Sequence, residues 1–499
     1  MMTAPSLLAS IDLGSNSFRL QICQNHNSQP QVIDSIKDMV RFAGGLDEHK
    51  VLDKASQERA LTCLTKFGER LRGFESDQVR AVATNTFRVA KNIADFLPKA
   101  EAALGFPIEI IAGREEARLI YTGVVHTLPP NGDRMLVVDI GGGSSEFVIG
   151  AELQPSITES LPLGCVNYSM RFFQNKITAK DFQAAISAAR NEIQRITQNL
   201  KKTGWDFAVG TSGSARSIRD VIATEAGRDE DISYEGMKKI AEKIIAAGST
   251  RKAKLAGLKP ERLEVFSGGL AVMMAIFEEL NVETMMVTDA ALRDGVFFDL
   301  IGRQLNADMR DQTIEQFQTR YHVNNTQAKY VADTALMFLE SLAQNISVQE
   351  LAYWKQYTHW AALLHEIGID IAHTGYHKHS AYIIGQADMP GFSRKEQGIM
   401  STLVCGQRGD LRKMLNLVGD NSIMWFAILS LRLAVLLNRS RLPITLPPFT
   451  ALRHHETSNT FVLRINQAWL NENLLAASAL EYEAEQWSKI NMPFMVQAI

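Results

Sequence analysis

Apolar and polar residues alternate along the N-terminal part of the chain in a way that predicts strands and helices in turn. The apolar run 7–11 leads into the turn sequence DLGSNS and then into the alternating segment 18–22. The apolar run 135–138 leads into DIGGGS and then into 145–149. Each block predicts a β-hairpin whose first strand ends at an aspartate, Asp12 or Asp139. Because the two blocks match, we expect two related lobes that face each other across a cleft.

The remaining pattern completes the predicted domain organisation. Helical spacing occurs at 57–72, 95–104, 115–124 and 179–200, and short strands are predicted at 79–83, 108–111, 207–209 and 284–288. After about residue 306 helical periodicity dominates, at 313–342, 351–367, 394–403 and 424–437, followed by a strand at 460–465 and a helix at 476–487. The predicted fold is α/β, with lobes at 1–128 and 129–306, an α-helical domain at 307–442 and a small C-terminal α+β unit at 443–499. The boundary between the lobes is expected at the Pro-Pro-Asn-Gly sequence 129–132.

The amino-acid composition makes several classes of protein less plausible for this chain. The 52 Lys and Arg against 55 Asp and Glu give a net charge of −3, so overall basicity does not predict nucleic-acid binding and any anion site must be local. Four cysteines lie far apart without a CxxC pair, which favours a reducing, cytoplasmic location. An acidic residue soon after the short N-terminal apolar run argues against a signal peptide, and Arg432 interrupts the most apolar later stretch, so no membrane span is predicted.

The glycine-rich turns are candidate phosphate-binding loops. Glycine permits positive φ and lets an anion approach several backbone N–H groups at once. A third Gly/Ser turn, GTSGS at 210–214, resembles the first two. A plain tight hairpin explains either block alone, but two copies at matched positions favour a phosphate site. The candidate binding residues are Gly14, Ser15, Asn16, Ser17, Gly141, Gly142, Gly143, Ser144, Ser145, Ser212 and Gly213.

Carboxylates at the ends of the hairpin strands are candidate metal ligands. Asp12 and Asp139 each stand where a strand meets its turn, and Glu146 follows Asp139 by seven residues on the return strand. From such positions carboxylates can hold a hard cation beside bound phosphates. Mg²⁺ is the natural candidate, because it keeps several waters and commonly uses one or two carboxylates. Capping or solvated carboxylates are the alternative interpretation.

The constellation resembles the Ppx/GppA family, the exopolyphosphatases and guanosine pentaphosphate phosphohydrolases of the actin-like ATPase superfamily. The segments that carry the resemblance are IDLGSNSFRL, ATNTFR, GREEARLIYTGV, VVDIGGGSSEFVIG, GTSGSAR and DAALRDGV, in this order through residues 7–296. The resemblance implies a two-lobed actin-like (ribonuclease H-like) fold followed by a helical domain similar to that of HD-type phosphohydrolases.

The resemblance also implies roles for individual residues. Glu116 matches the family's catalytic glutamate, which positions and deprotonates the attacking water. Asp139 and Glu146 match acidic residues associated with Mg²⁺ and with the water, and Arg88 matches an arginine that neutralises a substrate phosphate. A carboxylate, a cation and an arginine would together supply the positioning and charge neutralisation that phosphoryl transfer needs. One departure is Ala290, where the family more often has glycine, and it weakens the expectation that a nucleotide base stacks on that turn.

Histidines in the helical region raise the question of a second metal site. His359, His365, Glu366, His377 and His379 fall in one short region, but the His-Asp pair of HD-type sites reads His365-Glu366 here. We therefore expect a degenerate, structural domain rather than a working metal centre.

Taken together, these features predict an enzyme that removes terminal orthophosphate from inorganic polyphosphate by Mg²⁺-dependent attack of water. Hydrolysis of guanosine pentaphosphate to the tetraphosphate is the alternative, but the GGG turn and HKHSAY at 377–382 resemble the exopolyphosphatase branch of the family more closely. An actin-like ATPase, a sugar kinase and a non-catalytic sensor of polyphosphate or nucleotide stay open. A homodimer is expected, with a monovalent cation such as K⁺ as a further candidate cofactor.

Overall fold

The computed structural model describes residues 7–26, 29–128, 132–228, 230–304 and 308–499. The chain forms two compact units, Met1–Met309 and Arg310–Ile499, which are described separately. The expected boundary sequence 129–132 and the expected boundary at 306/307 fall on residues that are largely outside the described ranges. The first unit contains two separate sheets, and the second is mainly helical, as the hydrophobic pattern predicts.

The first sheet has five strands in the order β3-β2-β1-β4-β5. Its strands are β1 Leu7–Leu13, β2 Phe18–His26, β3 Gln29–Asp38, β4 Val79–Ala83 and β5 Ile108–Ile110. The first three strands are antiparallel neighbours, and β4 and β5 continue the sheet in parallel. The register pairs Asp12 with Arg19 and Arg19 with Lys37, so these three residues form one row across the sheet.

The second sheet has six strands in the order β10-β11-β9-β6-β7-β8. Its strands are β6 Met135–Ile140, β7 Ser145–Ala151, β8 Gln154–Leu161, β9 Phe207–Thr211, β10 Ile232–Ser233 and β11 Thr284–Val287. The β6–β7 hairpin repeats the β1–β2 hairpin. Its register aligns Thr211, Asp139, Glu146 and Ser160 in a row. Because strand residues alternate between the two faces of a sheet, the residues paired in one row lie on the same face of their sheet.

Helices cover both sheets. They are α1 Lys54–Arg70, α2 Asn85–Val89, α3 Ile93–Leu104, α4 Gly113–Thr127, α5 Cys165–Phe172, α6 Ala179–Thr203, α7 Ser212–Ala226, α8 Tyr234–Ala247, α9 Thr250–Ala253, α10 Phe266–Leu280 and α11 Leu292–Gln304. Helix α10 is apolar over most of its circumference and almost entirely buried, which is typical of a central core helix. Helix α4 begins directly after β5, and this placement brings Glu116 into its first turn.

The second unit packs helices and a small sheet around one core. Its helices are α12 Met309–Arg320, α13 Asn325–Leu342, α14 Val348–Leu363, α15 Tyr376–Gln386, α16 Arg394–Gly406, α17 Leu415–Val418, α18 Ser422–Leu437, α19 Gln467–Glu472 and α20 Leu474–Ser488. Strands β12 Ala451–His455, β13 Thr460–Ile465 and β14 Phe494–Ala498 form the sheet. Residues of β12, β13 and β14 share one hydrophobic cluster with the helices.

One predicted helix is divided in the structure. The helical pattern over 313–342 belongs to two helices, α12 and α13, and the chain turns between them at a left-handed His322. Asn324 then caps α13, because its side chain accepts a hydrogen bond from the backbone N–H of Gln327 at 3.0 Å. Local capping chemistry therefore overrides a hydrophobic period that continues across the break.

The most apolar helix lies in the core of the second unit. The segment Ser422–Ser440 is long and apolar enough to cross a membrane by length and composition, but 89% of its apolar 18-residue window is buried within the protein. Arg432 is buried there and forms an ion pair with Glu483 of α20. This burial is typical of a core helix, whose apolar circumference packs against neighbouring helices.

Candidate active site

The turns of the two hairpins approach each other closely. A Cβ atom on Gly142 would lie 2.9 Å from Cβ of Ser15 and 3.3 Å from the backbone nitrogen of Asn16. A Cβ on Gly143 would lie 2.5 Å from Oδ1 of Asn85. The contacts of 2.9 and 2.5 Å are shorter than real Cβ contacts, so a side chain at either position would force its neighbours to shift. The two glycine-rich loops thus form one site.

Four carboxylates gather beside these loops. Burial, together with the neighbouring charges of Glu116 and Asp139, raises the pKa of Asp12 to about 7. Burial also raises the pKa of Asp139 to about 7, with Glu116 again contributing. The pKa of Glu146 rises well above its ordinary value for the same reasons, burial first and then Glu116 and Asp139. Asp12, Asp139 and Glu146 therefore share one electrostatic environment, and the charge of Glu116 raises the pKa of all three.

Glu116 and Glu146 are held by specific hydrogen bonds. Glu146 is almost fully buried, and its Oε1 accepts a hydrogen bond from the Ser160 hydroxyl at 2.9 Å. Oε2 of Glu116 accepts one from Nη1 of Arg88 at 2.8 Å. The same Nη1 also donates to the carbonyl oxygen of Ile111 at 3.0 Å. Arg88, to which the family resemblance gives a substrate phosphate as partner, thus donates a hydrogen bond to the candidate catalytic glutamate in this structure.

Five cationic side chains line the same cleft as the carboxylates, and the sequence analysis assigned a role to none of them. They are Arg19, Lys37, Arg216, Arg262 and Arg293. Burial lowers the pKa of Arg19, and the nearby charges of Arg293 and Arg216 lower it further. Burial lowers the pKa of Lys37 as well, followed by the charge of Arg262. A group of mutually repelling cations in a cleft is the arrangement expected of a site for a multiply charged anion.

Several of these cations are fixed in place by contacts outside the cleft. Arg216 forms an ion pair with Asp289 at 3.0 Å, and Arg293 donates a hydrogen bond to Gln21 at 3.0 Å. Arg19, Arg216 and Arg293 lie inside segments that carry the family resemblance, which was the available signal. Lys37 and Arg262 lie outside every such segment. Lys37 reaches the cleft only because of the sheet register, and Arg262 only because of its position before α10.

Most of the predicted site residues line a cavity of about 140 Å³ between the hairpin turns. The three that do not are Arg88, Glu146 and Ser145. Ser145 is fully buried, and its hydroxyl donates to the carbonyl oxygen of Leu163, so this hydroxyl stabilises the turn. Ser212 lies in the cavity wall with a left-handed φ of 68°, and its hydroxyl donates to the carbonyl oxygen of Ile140 at 3.1 Å.

The histidines of the helical unit have separate surroundings. Nδ1 of His365 donates to the carbonyl oxygen of Ala362 at 2.6 Å, and Glu366 forms an ion pair with Arg441 at 2.6 Å. Both ring nitrogens of the buried His377 lack a hydrogen-bond partner. Burial and the charges of nearby Lys413 and other cations lower the pKa of His377 to about 4. In the described ranges of the chain, no three His, Cys, Asp or Glu side chains group closely enough to hold a metal ion.

Family comparison identifies the fold and its chemistry. Residues 21–304 match the model of the Ppx/GppA phosphatase family, and residues 309–484 match that of Ppx/GppA phosphatase, domain III. The chain belongs to the Ppx/GppA phosphatase family. The predicted α/β fold with actin-like lobes and a helical C-terminal part is therefore confirmed, together with the predicted phosphatase class.

Relatives of this Ppx/GppA phosphatase match along nearly its whole length. A protein from Vibrio vulnificus is 35% identical over 99% of this chain and 98% of its own, and one from Aeromonas hydrophila is 35% identical over 98% of both. Both are named guanosine-5'-triphosphate,3'-diphosphate pyrophosphatase. The crystal structure of the Aquifex aeolicus family member covers 60% of this chain and 98% of its own, with 25% identity and a TM-score of 0.51.

Proposed function

We propose that this phosphatase hydrolyses guanosine-5'-triphosphate,3'-diphosphate to guanosine tetraphosphate and orthophosphate. The observation that carries the proposal is the shared name of relatives that are 35 to 36% identical over nearly the whole chain. The cleft agrees with such a substrate, because backbone N–H groups of two loops and five cations surround a small cavity. Of the two reactions that the sequence predicts, the relatives favour the nucleotide over polyphosphate.

In this proposal the chain's own residues bind and orient the terminal phosphate. The loops at 14–17 and 141–144 contact its oxygens, and Arg19, Arg216 and Arg293 neutralise its charge. A water oxygen attacks the terminal phosphorus, the bond to the bridging oxygen breaks, and the electron pair stays on the departing β-phosphate. Glu116 accepts the water's proton, oriented by its hydrogen bond from Arg88.

Mg²⁺ fits the buried carboxylates of this site. Asp12 and Asp139 both have raised pKa values, first because they are buried, and a bound cation would offset the cost of ionising them. Mg²⁺ keeps several waters and takes substrate oxygens, so it needs only one or two carboxylates from the protein. Mg²⁺ would be held by Asp139 and Asp12, with Glu146 behind them. When bound, it would stabilise negative charge on the phosphate oxygens. The monovalent cation and the homodimer stay predictions.

The decisive experiment compares three substrates with one enzyme preparation: guanosine pentaphosphate, GTP and long-chain polyphosphate. We expect one orthophosphate per guanosine pentaphosphate, and a kcat/KM for this nucleotide at least about tenfold above that for polyphosphate ends. Reaction in ¹⁸O-labelled water should place the label in orthophosphate and none in the nucleotide. Efficient polyphosphate hydrolysis without release of phosphate from the nucleotide would reject the proposal in favour of the polyphosphate branch.

A further inference from the structure

A second cavity opens beside the phosphate cleft and shares two residues with it. Its volume is about 420 Å³, within the range of small-molecule sites. Ser15 and Asn16 line both cavities, so a ligand whose phosphate lies on the first loop could extend directly into the second. We refer to this second space as the side cavity.

One wall of the side cavity is apolar. Helix α5 starts at the second loop, where the backbone N–H of Val166 donates to the carbonyl oxygen of Gly142 at 3.0 Å. From there α5 and the residue after it present Val166, Met170 and Phe173 to the cavity. Met170 is 48% exposed, and Phe173 packs one side against Phe182. Such a wall suits the flat apolar faces of a purine base.

The charges of the two cavities differ. The phosphate cleft is lined by five cations and three carboxylates, whereas the side cavity is lined by two of each, Arg41 and Arg251 with Glu261 and Glu264. An electrically balanced, partly apolar cavity offers little to a chain of phosphates, whose negative charge needs cations at each step. It offers much more to an uncharged ring system that carries hydrogen-bonding edges.

The carboxylates of the side cavity are the acceptors that guanine requires. Guanine presents two donors side by side, the ring N1–H and the exocyclic amine, and a carboxylate accepts both. Glu264 forms an ion pair with Arg41 at 3.0 Å, and both side chains are more than half exposed. An exposed pair of this kind contributes little and can rearrange around a ligand at small cost.

We infer that the side cavity binds the guanosine end of the substrate, with the apolar wall of α5 against the base and Glu261 and Glu264 as acceptors for its donor edge. This inference rests on the proposed function and extends it, since it names the part of the chain that distinguishes a nucleotide from a bare phosphate chain. None of the segments that carry the family resemblance contains the residues of the apolar wall.

The test removes both carboxylates in the double variant Glu261→Gln/Glu264→Gln and measures two substrates, guanosine pentaphosphate and inorganic tripolyphosphate. KM for the nucleotide should rise about tenfold or more, because hydrogen bonds to charged acceptors are lost. KM for tripolyphosphate should stay the same or fall, because two negative charges have left the neighbourhood of the cleft. The matched control is Glu242→Gln/Glu283→Gln, which makes the same charge change at exposed positions outside both cavities.

Direct binding separates this inference from the proposed function. Calorimetric titration with guanosine tetraphosphate, the expected product, reports on the side cavity whether or not the wild type hydrolyses the pentaphosphate. A selective loss of nucleotide affinity in the double variant, with an unchanged thermal midpoint, supports the inference. Equal changes for nucleotide and tripolyphosphate, or no change for either, overturn it. A wild type that binds the tetraphosphate but does not hydrolyse the pentaphosphate would reject only the proposed function.

Discussion

The two glycine-rich hairpins share a backbone plan and differ in charge. Each runs from an aspartate through a turn to a residue seven positions later on the return strand. In the first hairpin that residue is Arg19, opposite Asp12, and in the second it is Glu146, opposite Asp139. The row continues to Lys37 in the first sheet and to Ser160 in the second. Equivalent positions therefore carry cations, Arg19 and Lys37, in the row that begins at Asp12 and a carboxylate, Glu146, in the row that begins at Asp139. We call the first row the cationic wall and the second the carboxylate wall.

This difference separates two tasks that phosphoryl transfer requires. One is neutralisation of the charge on the phosphate, and the other is positioning of the water and of a cation. Burial disfavours the charged form on both walls, lowering the pKa of Arg19 and raising that of Glu146. A bound phosphate would relieve the first effect and a bound cation the second. The two hairpins thus differ in electrostatic role, while helices of both lobes add further charged groups to the cleft, such as Glu116 and Arg216.

The largest expected effect comes from Glu116, which raises the pKa values of carboxylates on both walls. Glu116→Gln should lower kcat by about 10²- to 10⁴-fold, the usual contribution of a general base, and leave binding of guanosine tetraphosphate intact. Steady-state phosphate release and calorimetry measure the two quantities. Glu48→Gln, an exposed position, is the control. Turnover close to that of the wild type would exclude Glu116 as the base.

The carboxylate wall should control the metal requirement. Asp139→Asn and Glu146→Gln each remove charge from the proposed cation site, so the Mg²⁺ concentration for half-maximal activity should rise by about tenfold or more. A Mg²⁺ titration at saturating substrate is the measurement, with the exposed Asp420→Asn as control. If both site variants keep the midpoint and the maximal rate of the wild type, the cation binds elsewhere.

The cationic wall should control substrate affinity instead. Arg19→Gln removes one charged donor from the cleft, and KM should rise about threefold to tenfold, while the Mg²⁺ midpoint should shift by much less than in Asp139→Asn. The same assays with the exposed Arg72→Gln give the reference. A shift of the Mg²⁺ midpoint in Arg19→Gln as large as that in Asp139→Asn would contradict the division of roles between the walls.

The smallest expected effect is on the thermal stability of the metal-free protein. The pKa of Asp139 is about 7 in the folded protein against an ordinary 3.8, so the folded state binds more protons than the unfolded state between these values. This group therefore makes the metal-free protein less stable as pH rises from about 4 to about 7. Asp139→Asn should raise the thermal midpoint by about 2 to 4 °C at pH 8 and by much less at pH 4, measured with a chelator present. Equal shifts at both pH values would show that charge is not the cause.

Local patterns in the sequence predict a large part of the fold. The strands Val79–Ala83 and Thr460–Ile465 have the predicted bounds, and helix Ala179–Thr203 begins where predicted. These elements combine a clear hydrophobic period with capping or turn residues at their ends, as in the Thr178 and Asp181 capping box of the long helix. The break between α12 and α13 was missed, because the hydrophobic period continues through it.

The sequence alone determined the paired hairpins, the two loops and the choice of Asp12, Asp139 and Glu146 as acidic candidates, whereas Glu116 was chosen through the family resemblance. Those features are local, since a turn and a strand end are encoded within about ten residues of chain. Only the tertiary structure decided which distant groups join them. Lys37 reaches the cleft because of the sheet register, and Arg262 reaches it because of the fold around α10. The side cavity exists because helix α5 forms one of its walls. Such contacts depend on long-range packing, which a local pattern of hydrophobic and polar residues does not encode.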